Sequence, residues 1–63
     1  MTLKEFLKMN TNSLALEIYI YDKQNAYVMY GRKQSFLDRN IFLDKKVLSF
    51  EFYCDDLYIQ LDF

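Results

Sequence analysis

The segment "VLSFEFYCDDLYIQLDF" restricts the fold more tightly than any other, because two alternating apolar runs flank an acidic pair. In a β-strand, successive side chains point to opposite faces. A two-residue turn at Asp55 and Asp56 pairs Cys54 with Leu57 and thereby sets every other pair. Phe52 meets Ile59, Phe50 meets Leu61 and Leu48 meets Phe63 on one face. Tyr53 meets Tyr58, Glu51 meets Gln60 and Ser49 meets Asp62 on the other. Two strands written independently agree on faces throughout, which predicts a hairpin. Asp tolerates the left-handed conformations of such turns, although Gly in second place is commoner.

Parity also organises "SLALEIYIYDKQNAYVMY". Leu14, Leu16, Ile18 and Ile20 share one face; Ala15, Glu17, Tyr19 and Tyr21 share the other. A loop of three or five residues around "DKQN" brings Val28 to the inner face, for example with Ile18 opposite Val28 and Tyr19 opposite Tyr27. A one-residue slip would turn Ile18 and Ile20 into water, so the hydrophobic pattern selects the register. Ahead of this hairpin, "TLKEFLK" has the spacing of a capping box between Thr2 and Glu5. Leu3, Phe6 and Leu7 then follow at helical spacing. The helix runs for about two turns and ends near "NTNS". Isolated helices shorter than about 12–15 residues are marginal in water, so its stripe must lie on the sheet.

Between the hairpins, "GRKQSFLDRNIFLDKK" ends the second strand at Gly31. Ser35 caps a short helical turn with Phe36 and Leu37, and Ile41, Phe42 and Leu43 return the chain to the sheet. The expected architecture is α+β, an N-terminal helix packed on a four-stranded antiparallel sheet made of two hairpins. It forms a single domain over residues 1–63, with strand order left open. The expected core joins Leu3, Phe6 and Leu7 to Leu14, Leu16, Ile18, Ile20 and Val28 of the first hairpin. Leu48, Phe50, Phe52, Ile59 and Leu61 of the second complete it, with Phe36.

The composition removes most catalytic chemistry. The chain has no histidine, and so lacks the commonest general base and metal ligand. Its single cysteine, Cys54, falls on the expected core side, where a structural thiol is the ordinary reading. With one glycine it has no phosphate-cradling loop. No catalytic residue, metal, cofactor or small-molecule substrate is expected, and the chain reads as no enzyme. A net charge of −1 supplies no field toward nucleic acid or an anionic membrane. No apolar run reaches the roughly 18–20 residues that span a bilayer. A free thiol without an export signal points to the cytoplasm. A domain of 63 residues needs a staple; without disulfide or zinc, that staple is a second copy or a foreign partner.

The outer face carries Tyr19, Tyr21, Tyr27, Tyr53 and Tyr58 beside Glu17, Glu51 and Asp62. Aromatic platforms that stack bases also need cations for phosphate, and the strand positions of this face offer none. The basic residues Arg32, Lys33, Lys45 and Lys46 gather around the connector, where a nucleic-acid accessory role is an alternative. Tyrosine suits exposed pleated surfaces in any case, but five on one face point to a protein interface. The candidate protein-binding residues are therefore Glu17, Tyr19, Tyr21, Tyr27, Glu51, Tyr53 and Tyr58. The partner is either a second copy, giving a homodimer, or a foreign protein presenting Arg or Lys.

A capped helix "TLKEFLK", a strand ending in an acidic turn, and "FLDKKVLSFEFYCDDLYIQLDF" together resemble short uncharacterised proteins of phages and mobile elements of Firmicutes. The resemblance covers most of the chain and implies a compact αββββ unit without a known activity. This chain departs from that pattern in carrying more Tyr and Phe on its strands. By analogy, the resemblance implies a small inhibitor that occupies a host defence protein, of the anti-CRISPR kind.

Overall fold

The computed structural model describes residues 1–9 and 17–63. Leu14, Ala15 and Leu16, expected at the start of the first strand, lie outside the described residues, as does the "NTNS" helix stop. The described elements are α1 (Leu3–Met9), β1 (Ile18–Tyr21), β2 (Tyr27–Gly31), α2 (Lys33–Arg39), β3 (Val47–Tyr53) and β4 (Asp56–Leu61).

Local chemistry explains where α1 begins. The Thr2 N–H donates to Glu5 Oε1 at 2.9 Å, and the Glu5 N–H donates back to Thr2 Oγ1 at 3.3 Å. This reciprocal pair satisfies two amides that a helix start otherwise leaves without partners. Hydrogen bonds from the Thr2 amide and hydroxyl hold the Glu5 carboxyl below its ordinary range. Leu3, Phe6 and Leu7 are all buried.

The four strands form one sheet in the order β2-β1-β4-β3. The fold is α+β, but the sheet is mixed and not antiparallel throughout: β1 and β4 run parallel, with Ile18 beside Leu57 and Ile20 beside Ile59. The reason is the connector. The expected helical turn capped by Ser35 is the full helix α2, whose cap position lies three residues earlier, at an extended Arg32 without a side-chain cap. Asn40, in a left-handed conformation, ends it and donates its N–H to the Phe36 carbonyl. Seven helical residues advance the chain by about 10 Å. That length carries it back to the end of the sheet where β2 began, and parallel strands require such a crossover. β3 therefore enters in the direction of β2, and β4 in the direction of β1.

Leu3, Phe6 and Leu7 of α1 and Phe36 of α2 are buried in one cluster with Ile18, Ile20, Leu57, Ile59 and Leu61. The two central strands thus supply the sheet's share of the core. The edge strands add only the half-buried Met29 and Val47 at its margin, which corrects the expected core. Leu48, Phe50 and Phe52 on β3 remain 51%, 54% and 51% exposed. Phe50 is met by Phe6 from α1, with ring centroids 4.8 Å apart, and edge-on by Phe52 of its own strand at 6.4 Å. Val28 is also exposed, and Met29 takes its place against the core.

The hairpin registers differ from expectation in instructive ways. The first loop spans five residues, 22–26, and sets Tyr21 opposite Tyr27 with the expected parity. Asp22 Oδ1 accepts N–H bonds from Gln24 at 2.9 Å and Ala26 at 3.0 Å, which shapes the loop. A bulge at Val28 then shifts the ladder, so Ile20 meets Met29, Tyr19 meets Tyr30 and Ile18 meets Gly31. In the second hairpin the turn residues are Cys54 and Asp55, not Asp55 and Asp56, and Tyr53 faces Asp56. Phe52 consequently meets Leu57, Phe50 meets Ile59, Glu51 meets Tyr58 and Ser49 meets Gln60. Each of these partners, and that of Tyr53, moves by two from expectation, which preserves the faces. A second irregularity at Leu48 brings Val47 opposite Leu61. Cys54, expected on the core side, is exposed in the turn.

Candidate protein-interaction face

The face opposite the helices is built from tyrosine. Strict alternation in "YVMYG" would place Tyr27 and Tyr30 on opposite sides of the sheet. The bulge at Val28 adds one residue and turns both toward Tyr19 and Tyr21. The alternative would bury the Tyr30 hydroxyl against Ile18 and Ile20, a costly position for a group without a hydrogen-bond partner. Spacing and bulge therefore explain each other.

The rings stack across three strands. Tyr19 lies 4.9 Å from Tyr58 at an interplanar angle of 12°, and 5.4 Å from Tyr30 at 23°. Tyr21 meets Tyr27 edge-on at 5.8 Å and 66°, and Tyr58 at 6.2 Å. Such offset and edge arrangements are the favourable ones for aromatic pairs. Among the described residues, no helix or strand covers this face.

Its electrostatics are acidic. Glu51 pairs with Tyr58 across the strands, Asp56 precedes Tyr58 by two on β4, and Glu17 precedes Tyr19 by two. None of the strand positions sharing this face holds Lys or Arg. The phenols of Tyr19, Tyr27 and Tyr58 are raised above their ordinary range. Loss of hydration among the rings is the largest cause in each case. Asp56 and then Glu17 add to it at Tyr19; Tyr30, Tyr21 and Glu17 add to it at Tyr27; Asp56 leads the charged neighbours at Tyr58.

A shallow depression of about 280 Å³ opens between β1 and β3, where the ring stack gives way to smaller side chains. Tyr21, Tyr58, Glu51, Ser49, Asn25 and Gln60 line it. Gln60 is fixed there, its amide N–H bonded to the Lys23 carbonyl at 3.1 Å and its oxygen accepting the Ser49 hydroxyl at 3.0 Å.

Of the residues singled out by sequence, Glu17, Tyr19, Tyr21, Tyr27, Glu51 and Tyr58 lie on this one face. Tyr53 stands at its outer margin opposite Asp56, 65% exposed and making none of the ring contacts among the described residues. Asp62 lies beyond β4, exposed, with its N–H bonded to the Lys46 carbonyl. Sequence reasoning missed Tyr30 and Asp56 as members. The three-residue spacing of Tyr27 and Tyr30 was the available signal for the first.

The basic residues do not form one cluster. Arg32 and Lys33 follow Gly31, at the β2 corner level with Ile18, whereas Lys45 and Lys46 precede Val47, at the β3 corner level with Leu61. Three strand spacings, about 14 Å, and the length of the sheet separate the pairs. Among the described residues, no three His, Cys, Asp or Glu side chains gather to hold a metal ion. No described helix is long and apolar enough to cross a membrane. The chain matches no protein family, no curated protein and no solved structure.

Proposed function

We propose that the protein is a non-enzymatic interaction module that seats a protein partner on its tyrosine face. The observation that carries this reading is the uncovered stack of Tyr30, Tyr19 and Tyr58, with Tyr21 and Tyr27 beside it. Aromatic side chains bury about 150–250 Å² each. Even with part of that area shared among the rings, they supply much of the roughly 800 Å² that one side of a standard interface buries. Stacking also fixes the rings before a partner arrives, which lowers the ordering cost of association. The acidic rim favours a basic partner and disfavours a phosphate backbone. The resemblance to short proteins of Firmicutes phages and mobile elements extends the proposal to a cytoplasmic inhibitor of a host defence protein.

Tyr30→Ala combined with Tyr53→Ala tests the reading at the two least enclosed rings. The double variant is expected to keep a cooperative thermal transition and to lose the protein that the wild type captures from a host lysate. Undiminished capture overturns the proposal, and so does collapse of the transition, which would make the rings part of the fold. A mass by light scattering that rises with concentration and falls back to the monomer in the variant would assign the face to a second copy.

A further inference from the structure

We propose that the depression between Tyr21, Tyr58 and Glu51 is a subsite for an arginine side chain of the partner. This rests on the tyrosine face being the binding surface, and it adds the chemistry of one contact. At about 280 Å³ the depression falls just below the range of about 300–1,000 Å³ typical of whole small-molecule sites. It has the size for a single side chain.

Its walls set the kind of side chain. Tyr21 and Tyr58 both line it, with ring centroids 6.2 Å apart at 36°, and a flat cation can lie against an aromatic ring. The rim carries the Glu51 carboxylate, which has acceptors only. The floor is also rich in acceptors. Ser49 gives its hydroxyl proton to Gln60 Oε1, which leaves the lone pairs of its own oxygen available. The Gln60 amide cannot turn over, because its oxygen would then oppose the Lys23 carbonyl. Asn25, Gln60 and the two phenols can also donate. Among the described residues, however, the one formal charge lining the depression is the Glu51 carboxylate, which favours a ligand that brings donors and positive charge. Guanidinium supplies five N–H donors in one plane, stacks on aromatic faces and bonds a carboxylate through two parallel hydrogen bonds. Ammonium is compact and strongly hydrated, and meets only the charge requirement. Lys23, whose carbonyl anchors Gln60, does not line the depression, so the chain does not fill the subsite with that side chain.

The test is an NMR titration of the ¹⁵N-labelled protein with N-acetyl-argininamide, and with N-acetyl-lysinamide at the same ionic strength. Argininamide is expected to cause saturable shifts at Tyr21, Ser49, Tyr58 and Gln60, with half-saturation at millimolar concentration. Lysinamide is expected to bind roughly threefold more weakly. Glu51→Gln should leave the remaining spectrum in place while moving the argininamide midpoint beyond the accessible range. Shifts that never saturate, that scatter over the surface, or that persist unchanged in Glu51→Gln overturn the subsite. If they do so while capture still depends on Tyr30 and Tyr53, the subsite alone falls. If capture is independent of those rings, the binding face falls with it.

Discussion

Cys54 occupies the first of two turn positions in the second hairpin with φ at 57°. A side chain at Cβ crowds the backbone there, at a cost of about 1–2 kcal/mol for an L-residue, and glycine is the usual occupant of such a position. Cys54→Gly is therefore expected to stabilise the protein by up to about 1 kcal/mol, after glycine's greater freedom in the unfolded chain is set against the relief. Urea unfolding followed by circular dichroism measures it; an unchanged or lowered midpoint would mean the turn is relaxed with cysteine. This residue also explains why the turn was misread from sequence. Asp55 and Asp56 have the better propensity for left-handed turns, and local propensity placed the turn on them. The pairing of the half-buried Val47 with Leu61 follows from the actual register and from the irregularity at Leu48, which alternation alone does not signal.

At the level of elements, burial follows position in the sheet more closely than hydrophobicity does. Phe36 on α2 is fully enclosed, whereas Phe52 on β3 is half exposed despite an equally apolar side chain. Phe36→Ala is expected to cost about 3–5 kcal/mol, comparable with the whole stability of a small domain. Phe52→Ala is expected to cost less than about 1 kcal/mol. Equal losses in urea titrations of the two variants would contradict this assignment of core and edge. The capping box and apolar stripe made α1 legible because every interaction involved lies within one turn. The faces of β4 and of Ile18 and Ile20 were legible from period two alone. The parallel join of β1 to β4 was not, because it follows from the length of α2, and α2 has no side-chain cap to announce its start. Similarly, Tyr27, which precedes the bulge, was readable from parity, while Tyr30, which follows it, required knowledge of a bulge that only pairing partners define.

At the level of the whole molecule, pH acts on both layers. The fold holds the phenols of Tyr19, Tyr27 and Tyr58 above their ordinary range. Groups raised in this way contribute stability that is complete below the unfolded value, about pH 10, and is lost as pH rises through the folded values. Glu5 has the opposite sign: its carboxyl is lowered by Thr2, so its contribution is present above the unfolded carboxylate value and disappears as pH falls through the folded one. Melting temperature against pH is therefore expected to be flat near neutrality and to decline at both ends. Phenylalanine at the three tyrosine positions should flatten the alkaline decline, and Glu5→Gln should flatten the acid one. A decline insensitive to these substitutions would place its origin elsewhere.

The parallel pairing of β1 with β4 also determines when the aromatic surface comes into being. Tyr19 and Tyr58 belong to different hairpins and differ by 39 in residue number, yet their rings form the closest stack on the face. Each hairpin by itself displays only a fragment of that surface, because closing so long a loop must precede the stack. Under the proposed function, recognition by a partner would therefore also check the chain's maturity, since a half-assembled copy lacks the complete surface.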